Sequence, residues 1–192
     1  DVPTVHPVAV SVVRRFLTGV FEPLSASLSM YRKSAHAGYW RRVHIRHNEN
    51  LDVMLDIEVH GGVDAATTEA AKQRLVHALG VDAEPLLVVT GAGVVRGRVV
   101  SLQWHEFSGT NNSAPSDLPR EVLSGSATLT ERIYHLSFQL SPTAFFQVNR
   151  RGLVALIDKT REAAGIASNA LLLDICCGTG TLGLCFAPFV DS

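Results

Sequence analysis

The sequence predicts an α+β domain followed by the first strand and helix of an α/β domain. The first part contains helical segments, whose apolar residues recur every three or four positions, and strand-like segments, in which apolar and polar residues alternate. Near the C-terminal end, the apolar run 170–175 leads into a glycine-rich turn, as a buried parallel strand does. We place the boundary at residue 140 and predict domains over residues 1–140 and 141–192.

The composition indicates a soluble globular protein with a substantial core. Of the 192 residues, 46% are hydrophobic, and 17 lysines and arginines nearly balance 18 acidic residues. No stretch approaches the ~18–20 apolar residues of a membrane helix, so we expect no membrane contact. The near-zero net charge argues against a strongly basic nucleic-acid clamp. Because the chain starts without methionine and stops soon after the glycine-rich turn, we expect a fragment.

The three cysteines, Cys176, Cys177 and Cys185, lie close together in the sequence. Their spacing fits neither a disulfide framework nor a zinc or iron–sulfur site, because adjacent cysteines rarely pair with each other and no Cys-x-x-Cys motif is present. We therefore predict free thiols, no metal, and an intracellular, reducing compartment.

The first elements are a helix and a hairpin. Apolar residues at helical spacing predict a helix over Val5–Val20. Alternating residues then predict two strands joined by a three-residue loop that ends at Asn50, a residue that tolerates the left-handed conformation. The register that matches the apolar faces has the pairs Val43–Leu55, Ile45–Val53, Arg42–Asp56 and Arg46–Asp52.

Capping residues and alternation predict the remaining elements. They are a helix over Ala65–Leu79 capped by Asp64, strands over Leu86–Thr90 and Arg98–Gln103, an exposed loop over Ser108–Ser126 and a strand over Ile133–Leu140. A further helix is capped by Asn149 and closed by Gly165, and its inward residues are Leu153, Leu156, Ile157 and Thr160. The last predicted element is a strand over Ala170–Ile175.

The glycine-rich turn predicts a ligand site. Gly178, Gly180 and Gly183 match Gly-x-Gly-x-x-Gly, so a dinucleotide such as NAD has to be considered. Asp174, four positions before the first glycine, favours a ligand with an ammonium group, such as S-adenosylmethionine. A pyrophosphate would be repelled by this carboxylate, since both are negatively charged. Dinucleotide sites instead leave the helix N-terminus free to bind the phosphates. The residues therefore favour S-adenosylmethionine.

Two motifs resemble a known family. The segment Ser141-Pro-Thr-Ala-Phe-Phe-Gln-Val-Asn149 and the later segment Leu173-Asp-Ile-Cys-Cys-Gly-Thr-Gly-Thr181 are similar to paired motifs of the RNA uracil-5-methyltransferases, in particular the eukaryotic tRNA (uracil-5-)-methyltransferase branch. More faintly, Gly38–Arg46 resembles a strand of the same branch.

The resemblance implies a Rossmann-like, S-adenosyl-L-methionine-dependent methyltransferase domain that forms 5-methyluridine, with tRNA as the favoured RNA. It assigns cofactor contacts to Gln147, Cys176 and Thr181. Many bacterial members have an aromatic residue where this chain has Cys176, so a stacking role there is in doubt. With the residues of the turn, the candidate cofactor set is Gln147, Asp174, Cys176, Gly178, Gly180 and Thr181.

The chemistry of the family requires residues that this chain lacks. Carbon 5 of uracil becomes nucleophilic when a thiolate adds to the adjacent ring carbon, and a base later removes the proton from carbon 5. The family supplies these groups from a cysteine and a glutamate further downstream. We therefore predict no catalytic residue here, an inactive fragment, and weak or absent binding of S-adenosylmethionine. The alternatives are an RNA-binding module without activity and, less favoured, an NAD-dependent oxidoreductase.

A basic and aromatic run between Tyr31 and His47 indicates RNA contact, since cations bind phosphates and aromatic rings stack on unpaired bases. The predicted hairpin register pairs Arg42 and Arg46 with aspartates, so Lys33 and Arg41 are the stronger candidates. Of Phe145 and Phe146, we expect one in the core and the other at a base, and we select Phe146 as the RNA candidate.

Overall fold

The computed structural model describes residues 6–112, 114–167 and 169–190. The chain has a mixed α/β fold that divides into two compact units, Asp1–Leu129 and Thr130–Ser192. The elements of the first unit are helices α1 (Pro7–Phe16), α2 (Glu22–Leu24) and α3 (Ala65–Leu79) and strands β1 (Trp40–His47), β2 (Asp52–Val59), β3 (Leu86–Thr90), β4 (Gly93–Glu106) and β5 (Glu121–Gly125). The next elements are strands β6 (Leu129–Ile133) and β7 (Leu136–Leu140) and helices α4 (Arg150–Ala164) and α5 (Thr181–Phe186).

A five-stranded sheet organises the first unit. Its order is β1-β2-β4-β3, and β5 also pairs with β4. Strands β2 and β4 are parallel, whereas the β1–β2, β3–β4 and β4–β5 pairs are antiparallel. Because parallel neighbours need a crossover connection, α3 lies in the chain between β2 and the β3–β4 hairpin.

The N-terminal helix buries the predicted apolar stripe. Val8, Val12, Phe16 and Val20 are at most 4% exposed and pack against the sheet. The helix is regular to Phe16, continues as a π-helical turn over Leu17–Phe21 and ends in α2. Val5, where the helix was predicted to begin, lies outside the described residues. Both predicted caps are confirmed: Asp64 accepts from the N–H of Thr67, and Asn149 accepts from that of Gly152.

The predicted register of the first hairpin is wrong. Ile45 pairs with Leu55 rather than with Val53, and Val43 pairs with Ile57. The cause is Asn48, whose side-chain oxygen accepts from the backbone N–H groups of Asn50 and Asp52 and closes the turn one residue later. Leu51, with φ 60°, adopts the left-handed conformation that was predicted for Asn50.

Two segments differ from the prediction through turns. The region over Ser108–Ser126 is not wholly a loop, since strand β5 pairs its last part with β4. The predicted strand over Ile133–Leu140 is a hairpin, in which Tyr134, with φ 54°, turns the chain between β6 and β7. Along α4, Leu153 and Ile157 are buried as predicted, but Leu156 and Thr160 are exposed.

The second unit has its own apolar core. The hairpin residues Ile133, Phe138 and Leu140 pack with Leu153 and Ile157 of α4, which is why the compact unit begins before the predicted boundary at residue 140. Whether functional domains divide at that boundary stays a prediction. None of the helices within the described ranges is long and apolar enough to cross a membrane.

The predicted strand over Ala170–Ile175 is absent. Leu171, Leu173 and Ile175 are 73–84% exposed, and only Leu172 packs against the core of the second unit. A strand is stable only when its backbone groups pair with a neighbour, and among the described residues no strand pairs with this segment.

Candidate functional site

The glycine-rich turn has a backbone that ordinary side chains rarely permit. Cys176, Gly178 and Gly180 have φ of 61°, 58° and 73°, all in the left-handed region. Gly178 is required by this conformation and not by crowding, because a Cβ atom there would meet open space. Cys176 adopts the same conformation with a side chain, which is strained for an L-residue. The turn therefore exposes its backbone between Cys176 and α5.

Asp174 holds the turn against the start of α5. Its Oδ2 accepts a hydrogen bond from the backbone N–H of Gly183 at 2.9 Å. A Cβ atom on Gly183 would lie 2.9 Å from the same oxygen, so glycine is needed there for close approach. Within the described ranges, this is the hydrogen bond that the carboxylate makes, and it uses one of the two carboxylate oxygens.

Two further predicted cofactor residues, Thr181 and Gln147, lie at the start of α5 and before α4, respectively. Thr181 is the first residue of α5, and its hydroxyl lies 2.7 Å from that of Thr179. Gln147 is exposed in the irregular segment before α4, two positions ahead of the capping Asn149. Cys176 and Cys177 are exposed, whereas Cys185 is buried, and burial raises the pKa of the Cys185 thiol. The structure thus joins Asp174 to the turn and leaves Gln147 on a separate exposed segment.

The side chain of Arg41, which was predicted to contact RNA, is buried in an ion pair, and its role in binding RNA stays a prediction. Its Nε lies 2.8 Å from Oε1 of Glu58, with the two side chains only 6% and 3% exposed. The guanidinium donates to the carbonyl oxygens of Phe107 and Gly109 at 2.9 and 2.6 Å and to that of Asn111. It also packs on the Phe107 ring, 4.5 Å from its centroid. These contacts occupy the guanidinium inside the protein.

The ion pair of Arg41 continues into a buried network across the sheet. His105 of β4 places Nε2 3.3 Å from Glu58 and Nδ1 3.0 Å from Asp56. Asp56 also accepts from Nε of Arg120 at 3.1 Å. Burial alone would raise the pKa of Asp56, but the contacts with His105 and Arg120 outweigh it and lower that pKa. Sequence analysis missed this network because alternation assigned Asp56 and Glu58 to a solvent-facing side.

The remaining RNA candidates have different outcomes. Phe146 is 8% exposed and packs against Phe138, with ring centroids 5.5 Å apart. Phe145 is 72% exposed, so one ring of the pair is in the core as predicted, but it is that of Phe146; its proposed contact with RNA stays a prediction. Trp40, one of the aromatic residues of the basic run, is in the core at 5% exposure. Lys33 lies exposed on a turn, and its role in binding RNA stays a prediction.

Within the part of the chain that the structure describes, no group of three or more histidine, cysteine, aspartate or glutamate side chains could hold a metal ion.

Comparisons with known proteins support the predicted resemblance. No protein-family model matches the chain. It is 33% identical over 152 residues to human tRNA (uracil-5-)-methyltransferase homolog B, covering 78% of this chain and 28% of that protein. It is 29% identical over 167 residues to mouse homolog A, covering 86% of this chain and 26% of the relative. An uncharacterized RNA methyltransferase of Chlorobaculum tepidum is 29% identical over 164 residues, with 85% and 30% covered.

A solved structure has a similar fold. The tRNA (uracil-54, C5)-methyltransferase of Pyrococcus abyssi, crystallised with S-adenosyl-L-homocysteine, matches 93% of this chain and 37% of that chain. The TM-score is 0.61 at 20% sequence identity. The chain spans less than a third of the length of the human, mouse and Chlorobaculum tepidum relatives. Its resemblance to the RNA uracil-5-methyltransferases is confirmed over most of its own residues.

Proposed function

We propose that this chain, a relative of the RNA uracil-5-methyltransferases, is part of an S-adenosyl-L-methionine-dependent enzyme that forms 5-methyluridine in tRNA. The observation that carries the proposal is the turn Asp174–Gly183, in which a carboxylate and three left-handed residues leave an exposed backbone before a helix. The relatives named for this reaction favour the methyltransferase over an NAD-dependent oxidoreductase.

The turn fits the proposed cofactor in shape and in charge. The open space beside Gly178 admits a ligand close to the backbone, which a side chain would obstruct. The second carboxylate oxygen of Asp174 suits the ammonium group of S-adenosyl-L-methionine. We propose that Cys176, Gly180 and Thr181 line the same site. Gln147, which offers both donors and acceptors, is proposed to reach it from the exposed segment before α4.

The proposed division of labour follows from the two units. The cofactor supplies the methyl group, and the residues of the turn bind and orient it. The residues from 141 onward are proposed to begin a Rossmann-like domain, and the α+β part is proposed to contact RNA. The thiolate and the base that the reaction needs are proposed to come from outside this chain, since Cys185 is buried and Cys176 and Cys177 belong to the turn.

Release of tritium from tRNA that carries 5-tritiated uridine tests the proposal, because that proton leaves only when carbon 5 is substituted. We expect the protein expressed from its full reading frame to release tritium when S-adenosyl-L-methionine is added. In the Asp174→Asn variant, the amide oxygen can still accept from Gly183 while the negative charge is lost. We therefore expect a KM for S-adenosyl-L-methionine at least about tenfold higher, the loss of one charge-assisted contact of about 1.4 kcal/mol or more.

The matched control is Asp82→Asn, which removes one exposed carboxylate elsewhere and should leave the KM unchanged. Absence of tritium release with any tRNA would refute the proposed reaction. Release with a normal KM in Asp174→Asn would refute only the role of Asp174.

A further inference from the structure

We infer that Arg42, His44 and Arg46, called here the β1 row, bind successive phosphates of the RNA backbone. This inference rests on the proposed function, which supplies RNA as the ligand. It differs from the prediction made from the basic run, which selected Arg41 and set Arg42 and Arg46 aside as partners of aspartates.

The β1 row lies along one face of an edge strand. Strand β1 ends the order β1-β2-β4-β3, and the row faces Glu58, Asp56 and Met54 of the neighbouring strand β2. Arg42 and His44 are exposed and Arg46 is half-buried. Alternate residues of a strand are about 6.6 Å apart, which is close to the separation of successive phosphates along an extended RNA strand. Three basic side chains at this spacing therefore match a run of phosphates.

The carboxylates opposite the row are shared with other basic groups. Glu58 is paired with Arg41 at 2.8 Å, and Asp56 is bound by His105 and Arg120 at 3.0 and 3.1 Å. At the hairpin end, Asp52 pairs with Arg98 at 2.6 Å. Asp52 and Asp56 thus have basic partners that the sequence did not predict.

The electrostatics at His44 agree with a positive surface. Its pKa is lowered by burial first, and then by Arg46, Arg42 and Arg120, while Asp56 acts in the opposite direction. Of these causes, only the three arginines place positive charge around His44, and it is that charge which favours an anion. Neutral His44 still has one N–H group that can donate to a phosphate oxygen.

Phosphates explain the row better than an acidic protein segment does. The row contains no apolar side chain that could anchor a peptide, whereas backbone contacts to nucleic acid use charged and hydrogen-bonding groups in this way. The expected signature is binding that weakens steeply with salt.

Binding of an unmodified tRNA transcript to the 192-residue chain, measured by fluorescence anisotropy over a range of salt concentrations, tests the inference. We expect the variant Arg42→Gln/His44→Gln/Arg46→Gln to raise the Kd about tenfold or more. The slope of log affinity against log salt should fall by about 1.4–1.8, since two arginine–phosphate contacts are lost at about 0.7–0.9 each. His44→Arg should tighten binding several-fold, because it adds a full charge to the row.

The matched control, Arg74→Gln/His77→Gln/Arg96→Gln, removes the same residue types from exposed positions outside β1 and should change the Kd less than twofold. Tryptophan fluorescence checks that each variant is folded. Equal losses in both triple variants, or no loss in the row variant, would overturn the inference.

Failure of the unaltered chain to bind tRNA would also overturn it, while tritium release by the protein from its full reading frame still judges the proposed function independently. If that protein is active and its row variant keeps a normal KM for tRNA, the inference about the β1 row is wrong and the proposed function stands.

Discussion

Substitution of Arg41 by methionine should destabilise the first unit strongly. Methionine keeps much of the aliphatic volume but leaves the Glu58 carboxylate, 3% exposed, without its arginine partner. Removing one partner of a buried ion pair costs about 3–5 kcal/mol. We expect the lower end, about 3 kcal/mol, because His105 still contacts Glu58 at 3.3 Å. The carbonyl groups of Phe107 and Gly109 lose their donor as well.

Urea unfolding followed by tryptophan fluorescence measures this loss of stability specifically in the first unit. The two tryptophans of the chain, Trp40 and Trp104, are both buried in the first unit and lie 6.2 Å apart between ring centroids. Their emission therefore reports the unfolding of that unit. With an m-value of about 2 kcal/mol/M, a loss of 3 kcal/mol lowers the midpoint by about 1.5 M.

The double variant Arg41→Met/Glu58→Gln is the informative control. It removes the uncompensated charge, so it should recover about 2 kcal/mol of the loss. A single variant that costs less than about 1 kcal/mol would refute the assignment of Arg41 to a buried ion pair. A double variant as unstable as the single one would show that the lost carbonyl contacts, and not the charge, dominate.

Two further predictions concern Asp56 and Gly183. The pKa of Asp56 is lowered in the folded state, so its contribution to stability is present above its unfolded pKa of about 3.9 and is lost as the pH falls towards the folded value. The urea midpoint should therefore decrease when the pH is lowered below about 4. This decrease should be smaller in the Asp56→Asn variant. Gly183→Ala places a Cβ atom 2.9 Å from the carboxylate of Asp174. The variant should speed hydrogen exchange in the peptide from Asp174 to α5, whereas Gly91→Ala, where a Cβ atom meets open space, should not. Unchanged exchange in the first variant would contradict the close packing of the turn.

Much of the local structure is predictable because its causes are near in the chain. Asp64 and Asn149 cap their helices through hydrogen bonds to residues three positions later, so the capping residue and its target are both visible in the sequence. The helix that Asn149 opens ends at Gly165, whose φ of 53° is the conformation expected of a terminating glycine. The left-handed glycines of the turn before α5 can also be predicted from the sequence, because their conformation depends on the residue type at that position.

The sequence by itself therefore determined the caps, the buried stripe of α1 and the motifs that relate the chain to RNA uracil-5-methyltransferases. Only the tertiary structure decided which charged residues are buried in ion pairs. Asp56 and Glu58 look solvent-facing in an alternating strand, but β4 and the segment before β5 bring His105 and Arg120 against them. Those partners are distant in sequence, and a buried charge is stable only when such partners meet it. Arg41 is likewise buried by its ion pair with Glu58, a residue of the neighbouring strand β2.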